Sequence, residues 1–287
     1  MPFYLYAWIA TISFGFVVVI VKFASKYSIS NPWLFNFLTQ LILTLLLIPT
    51  AIYYRSFLPS EWLFLGISSV FNAIWVLMYV FSLYKLDVSV FTPLYNFRVI
   101  FAVLFGFFLL GETLALYQLA LFCVIIIGGL FVSIDEKLSL KSFFNKSIGL
   151  AIVAMLFLVL SNIYAKKTLA VNDVWEVALW TNVITTLFLI PTIPKFRKDI
   201  GKLGKKQIPP LVLMGLASVI GTIFVNLAYQ INVGVTAIIL AIPTSMILAV
   251  GISIFIPGFL EKHTNKVYAI RFTAAAAMIV AALLISL

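Results

Sequence analysis

The chain has 287 residues, of which 64% are hydrophobic and only 10% are charged. A soluble domain contains about 25% charged residues, so this composition excludes a soluble globular enzyme, a nucleic-acid-binding module and a disordered chain. The 19 Lys and Arg outnumber the 9 Asp and Glu, and in a membrane protein such an excess reports orientation rather than a nucleic-acid partner. One cysteine, Cys123, and one histidine, His263, predict neither disulfides nor a metal cluster, and no cofactor is expected.

Charged residues divide the chain into apolar segments, because a charge at the centre of a bilayer costs a few kcal/mol. A helical span needs about 20 apolar residues. The segments of sufficient length are, in chain order, 1–21, 27–54, 62–84, 88–111, 113–134, 147–165, 177–194, two spans within 207–260, and 267–287. The run 207–260 is too long for one span and contains a polar, glycine-containing turn at residues 230–234. The sequence predicts an all-α integral membrane protein with ten transmembrane helices.

Two parts of the chain resemble each other at a nearly constant spacing. Residues 39–50 and 181–192 are identical at eight of twelve positions at an offset of 142, and residues 84–90 match 229–235 at an offset of 145. The chain therefore divides into two five-helix repeats, residues 1–140 and 141–287, in one transmembrane body. Because five is odd, the second repeat must enter the membrane from the opposite side. Such inverted repeats are typical of secondary transporters, whose binding site lies near the midplane between the halves.

The end of the fourth span reads Phe-Gly-Phe-Phe-Leu-Leu-Gly-Glu-Thr-Leu over residues 105–114, and Gln118 follows. In a chain of five plus five helices, this segment resembles the EamA-type family of the drug/metabolite transporter superfamily. The corresponding segment of the second half, residues 255–261, ends in Glu261, four residues beyond the position that the offset of 145 gives for Glu112. The resemblance implies a transporter of small metabolites, with a central cavity lined mainly by helices 1, 3, 4, 6, 8 and 9. It does not specify the substrate.

Arg98 is a charge deep inside a predicted span, and an ionisable residue at that depth is a functional candidate. In one interpretation, Arg98 faces the cavity and holds a carboxylate or phosphate, for which its guanidinium fork is suited. In the other, it binds helix-end carbonyls or extends to the membrane interface. At the offset of 145, Arg98 corresponds to Pro243. The missing N–H of Pro243 can break the ninth span beside a site, although a kink without ligand contact is the alternative.

Polar side chains recur at helical spacing along spans 3 and 8. They are Ser68, Asn72, Trp75, Tyr79 and Ser82 in the first, and Ser218, Thr222, Asn226 and Tyr229 in the second. In lipid such a stripe must face protein or a water-filled cavity, and its serines and threonines also suit contacts between helices. The predicted substrate-binding residues are Arg98, Asn72, Trp75, Tyr79, Tyr95, Asn96, Asn162, Asn226, Tyr229 and Pro243.

No acidic residue falls inside a predicted span, although proton coupling or the binding of a cationic drug would use one. We therefore expect a secondary transporter, not an enzyme, that moves a small anionic or zwitterionic metabolite by alternating access. Amino acids are the first class of substrate to consider, and amino acid export is the corresponding function. Its expected partners are the small-molecule substrate and membrane lipids, without nucleic acid, in a monomer or homodimer at the plasma membrane. The alternatives are an exporter of other metabolites or drugs, an intramembrane enzyme, and a membrane scaffold or sensor.

The basic residues outside Arg98 also bear on orientation. Fifteen lie in or beside loops after odd-numbered spans, and three follow even-numbered spans. The positive-inside rule then places the odd loops in the cytoplasm and both termini outside. The family resemblance implies the opposite orientation, so the sequence leaves both orientations open.

Overall fold

The computed structural model describes residues 3–55, 58–85, 97–113, 115–132, 146–255 and 265–286, and every regular element in these ranges is helical. The helices are, in chain order, α1 (Phe3–Tyr27), α2 (Pro32–Tyr53), α3 (Leu63–Lys85), α4 (Phe97–Leu110), α5 (Leu116–Val132), α6 (Lys146–Leu169), α7 (Val174–Leu189), α8 (Ile208–Tyr229), α9 (Val233–Leu240), α10 (Thr244–Phe255) and α11 (Asn265–Ser286). A 3₁₀ helix, Ile190–Lys195, and one helical turn, Arg197–Ile200, follow α7.

Six helices in the described part of the chain are long and apolar enough to cross a membrane. They are α1, α2, α3, α6, α8, and α7 together with the 3₁₀ helix that continues it. Predicted spans 4, 5 and 10 correspond to α4, α5 and α11, whose described apolar stretches are shorter, and span 9 corresponds to the pair α9 and α10. The chain is thus an all-α, multi-pass membrane protein, and the count of ten spans stays a prediction.

Local capping sets where several helices begin and end. The Asn31 side chain accepts the backbone N–H of Trp33 at 3.0 Å, which caps α2 at its first turn. At the start of α7, Glu176 accepts the Asp173 backbone N–H at 3.3 Å. Basic residues assigned to loops from the sequence lie instead in the last turns of helices, such as Lys85 in α3. A cation there interacts favourably with the helix dipole, so these helices include basic residues in their last turns.

The two repeated segments diverge at their prolines. Helix α2 continues through Pro49 to Tyr53, whereas α7 ends at Leu189 and changes to a 3₁₀ helix. The second segment contains Pro191, and Pro194 lies two residues beyond its end; each lacks the N–H that an α-helix needs. Sequence identity between the segments therefore does not produce identical helix ends.

The helices pack in pairs. Helix α1 lies along α8, α3 along α6, α2 against α7, and α5 against α11. Small residues allow the closest approaches: a Cβ added at Gly221 of α8 would lie 2.6 Å from a ring atom of Phe14 in α1. The first three of these pairs surround a space in the middle of the bundle, where the candidate site lies, and no described residue of α5 or α11 lines it.

Candidate functional site: a polar cavity within the helix bundle

A cavity of about 240 Å³ lies between the helices. Eight predicted site residues line it: Arg98, Asn72, Trp75, Tyr79, Asn162, Asn226, Tyr229 and Pro243. The other two, Tyr95 and Asn96, lie outside the described residues. The family resemblance implied a lining mainly from helices 1, 3, 4, 6, 8 and 9, but α2 and α7 also contribute several polar residues to the wall.

Arg98 lies in the first turn of α4 and in the cavity wall, and its exposed fraction is only 4%. Among the lining residues that the structure describes, it alone has a charged side chain. A guanidinium inside a low-dielectric body gives the cavity a positive potential. Its planar fork matches the geometry of a carboxylate or phosphate.

Pro243 lies in a break between α9 and α10. The break occurs where the sequence predicted it, because proline cannot donate a backbone hydrogen bond. The next residue anchors the broken region to α1: the Thr244 hydroxyl donates to the Thr11 carbonyl at 3.0 Å. The space beside it is tight, since a Cβ added at Gly15 would lie 2.6 Å from the Thr244 hydroxyl oxygen. The break therefore exposes a non-helical segment to the cavity.

Two asparagines of the wall, Asn72 and Asn162, donate hydrogen bonds to other helices. Asn72 of α3 donates to the Thr185 hydroxyl of α7 at 3.0 Å. Asn162 of α6 donates to the Tyr229 hydroxyl of α8 at 2.7 Å. An amide has two N–H donors and an acceptor oxygen, so one such bond leaves further hydrogen-bonding capacity in each side chain. These contacts hold the amides in place at the cavity surface.

The predicted stripes also include residues that join helices. The Ser68 hydroxyl donates to the Ser161 carbonyl, and the Ser161 hydroxyl donates to the Ser68 carbonyl, both at 2.9 Å. Ser82 is buried and donates to the Met78 carbonyl of its own helix. In α8, Thr222 lines the cavity, which is one of the two environments that its stripe left open. Ser68 and Ser161 also line the cavity, so these serines both join helices and form part of the wall.

Aromatic rings form one side of the wall. The ring centroids of Trp75 and Tyr79 are 4.5 Å apart, and both side chains are buried. The described wall therefore offers rings, amides, hydroxyls and one guanidinium, which are groups that bind a ligand. In the described ranges, no group of three or more His, Cys, Asp or Glu side chains could hold a metal ion.

The sequence analysis missed a polar layer between α2 and α7. Gln40 donates to the Asn182 side-chain oxygen at 2.5 Å, and the Thr44 and Thr186 hydroxyls are 2.9 Å apart. Both pairs join residues exactly one repeat apart, at the offset of 142. The sequence signal was present, because these residues lie in the segments that revealed the repeat. The repeated sequence predicted an architecture of two halves, but it did not predict that the two segments contact each other.

Glu112 forms a second feature that the sequence did not reveal. It follows α4, as the predicted span end required, yet its side chain is only 9% exposed. Its carboxylate accepts hydrogen bonds from the Lys166 ammonium at 2.5 Å and from the backbone N–H groups of Val233 and Gly234, each at 2.9 Å. We call these four residues the Glu112 clasp. It joins the end of α4 to the end of α6 and the start of α9.

Comparisons with known proteins bear on the family and on the fold. Residues 1–134 match the model of the EamA-like transporter family, which confirms the resemblance predicted from the sequence. No curated protein matches the chain significantly. Among 28 matching chains of solved structures, one crystal structure aligns with a TM-score of 0.69 over 96% of this chain and 97% of its own, at 16% identity. That likeness shows a shared fold and nothing about the ligand.

Proposed function

We propose that this chain, whose residues 1–134 belong to the EamA-like transporter family, is a secondary transporter of the drug/metabolite superfamily for a small metabolite with a carboxylate. Amino acids are the first class to test. The two halves, residues 1–140 and 141–287, form an inverted repeat of ten helices and rock around the central cavity in the plasma membrane. The site thereby opens to one side of the membrane at a time.

The burial of Arg98 in the cavity wall is the observation on which this proposal rests. A carboxylate ligand complements the positive potential and accepts two parallel N–H bonds from the guanidinium. Ligand pockets for drug-sized molecules have volumes of about 300–1,000 Å³. The smaller cavity, of about 240 Å³, favours a small metabolite.

The pairing of the helices supports an inverted repeat. An exchange of the halves relates α1 to α6, α2 to α7 and α3 to α8, so it converts the pair α3–α6 into the pair α8–α1, and both pairs are present. Residues on a two-fold axis contact their own equivalents, as in any isologous interface. Gln40 with Asn182 and Thr44 with Thr186 have this relationship. The proposed axis passes between α2 and α7, beside the cavity.

The test is uptake of labelled amino acids by proteoliposomes that contain the protein and the same unlabelled amino acid inside. Arg98→Ala removes charge-assisted bonds of about 1.5–3 kcal/mol, so carboxylate flux should fall at least tenfold. The matched control is Arg197→Ala, because Arg197 is exposed in the turn after α7 and should be dispensable. Amino-acid amides, which lack the carboxylate, should not compete. Equal carboxylate flux in the wild type and Arg98→Ala would contradict the proposal.

A further inference from the structure

Two polar side chains in the cavity wall, on α2 and α7, have buried groups without hydrogen-bond partners among the residues that the structure describes. We propose that Asn36 and Thr181 form a second binding subsite, which holds an uncharged oxygen of the ligand while Arg98 holds its carboxylate. This inference depends on the proposed function and narrows its substrate class. It predicts small amino acids with a hydroxyl or carboxamide side chain, rather than purely aliphatic or aromatic ones.

Both groups are buried at the cavity. Asn36 has an exposed fraction of only 3%, and its side-chain nitrogen has no hydrogen-bond partner among the described residues. The Thr181 hydroxyl oxygen is buried and lacks a partner in the same part of the chain. Both residues line the cavity. Buried polar groups in native proteins are nearly always paired, so two orphaned groups at one cavity indicate a site that a ligand completes.

The neighbours of these residues are paired within the protein. Gln40, one turn after Asn36 in α2, donates to Asn182, which follows Thr181 in α7. Asn182 in turn donates to the Ala178 carbonyl at 2.7 Å. The layer between α2 and α7 is therefore held together without Asn36 or Thr181. Their groups are left for a molecule in the cavity.

Asn36 has no equivalent polar residue in the second half of the chain. At the offset of 142, Gln40 corresponds to Asn182 and Thr39 to Thr181, but Asn36 corresponds to Ala178. The amide at position 36 has no counterpart in the second half, so the symmetry of the bundle does not explain its burial. An asymmetric ligand requires such an asymmetric group.

The chemistry of the two groups defines their ligand. The side-chain nitrogen of Asn36 donates and cannot accept, while the Thr181 hydroxyl can do both. Their common partner is an acceptor oxygen. Arg98 is suited to the ionised carboxylate, so the subsite on α2 and α7 takes a neutral hydroxyl or carboxamide oxygen.

The experiment uses amino acids of equal shape as competing substrates in proteoliposomes: threonine against valine, and asparagine against leucine. The wild type should prefer the oxygen-containing member of each pair by about tenfold, the value of one buried hydrogen bond. Asn36→Leu and Thr181→Val keep the side-chain volume and should reduce this preference to near unity while valine and leucine flux continues. Thr181→Ser, which keeps the hydroxyl, should retain the preference.

Thr44→Val is the matched control, because the Thr44 hydroxyl bonds Thr186 and does not line the cavity. It should keep the wild-type preference. Two results would overturn the subsite and leave the proposed function intact. One is Arg98-dependent flux without any preference for the oxygen-containing substrate. The other is a preference that is unchanged in both Asn36→Leu and Thr181→Val. Water alone would then satisfy the two groups. Absence of Arg98-dependent carboxylate flux would overturn both proposals.

Discussion

The Glu112 clasp provides a quantitative prediction for stability. The Glu112 carboxylate binds three donors, and two of them are the first backbone N–H groups of α9. A negative charge is favourable there, because the N-terminus of a helix has a partial positive charge. Glu112→Gln removes the charge and replaces one acceptor oxygen with a donor. Lys166 and one helix N–H then compete for a single neutral oxygen.

The expected cost follows from the burial of the pair. The side chains of Glu112 and Lys166 are 9% and 21% exposed, so solvent screens their interaction weakly. Loss of one partner of a buried charged pair costs about 3–5 kcal/mol, and we reduce this to about 2–4 kcal/mol because glutamine keeps one hydrogen bond. The melting temperature of the purified protein in detergent should fall by roughly 5–15 °C.

A double-mutant cycle tests whether the pair is the cause. Lys166→Met alone should destabilise the protein, and the double variant with Glu112→Gln should be less destabilised than the sum of the two single variants. Lys202→Met is the matched control, because it breaks the ion pair with Asp199, in which the Lys202 side chain is 76% exposed. Such a surface pair contributes at most about 1 kcal/mol. Equal melting temperatures for Glu112→Gln and Lys202→Met would refute the reasoning.

Two further predictions concern other contacts between the halves. Asn182→Leu should cost about 1–3 kcal/mol because it leaves the buried Gln40 amide without its acceptor, and Gln40→Leu in addition should recover part of that loss in thermal unfolding. A hydrogen bond from Lys202, and to a smaller extent one from Asn31, lowers the pKa of Asp199. The ionised carboxylate therefore stabilises the fold above the unfolded carboxyl pKa of about 3.9, and this stabilisation is lost as the pH falls through the lowered pKa. Melting curves between pH 6 and pH 3, a range of about three units that includes the unfolded carboxyl pKa, should show a steeper acid-side fall for the wild type than for Asp199→Asn; parallel curves would contradict this.

Hydropathy predicted the membrane-spanning character because the length of an apolar run is a property of the sequence itself. The boundaries were less predictable. Helix α1 continues through Lys22 to Tyr27, and α7 begins at Val174, before the predicted start of its span. Capping residues and basic side chains in the last turns determine where these helices begin and end. The positions of charged residues alone are compatible with more than one boundary.

Much of the cavity could also be predicted, because a polar stripe on a helix in lipid has few places to face. Asn72 and Tyr79 follow from this rule. Asn36 belongs to a similar stripe in α2, with Thr39 and Gln40 at helical spacing, but its place in the wall was not predicted. Glu112 could be placed at a span end, but its partner Lys166 is 54 residues away, so no local pattern revealed their contact. Contacts between distant segments require the packing of the helices.

The proposed site combines symmetric and asymmetric positions, and the two have different roles. Where the repeats are alike, as in Thr44 and Thr186, equivalent residues bond each other and hold the halves together. The repeats differ at two positions of the proposed site. Arg98 of the first half corresponds to Pro243 of the second half, and Asn36 corresponds to Ala178. A metabolite with a carboxylate at one end and a neutral oxygen at the other has no two-fold symmetry of its own. In the proposed mechanism, its recognition therefore depends on positions at which the two halves differ, while the proposed rocking depends on positions at which they are alike.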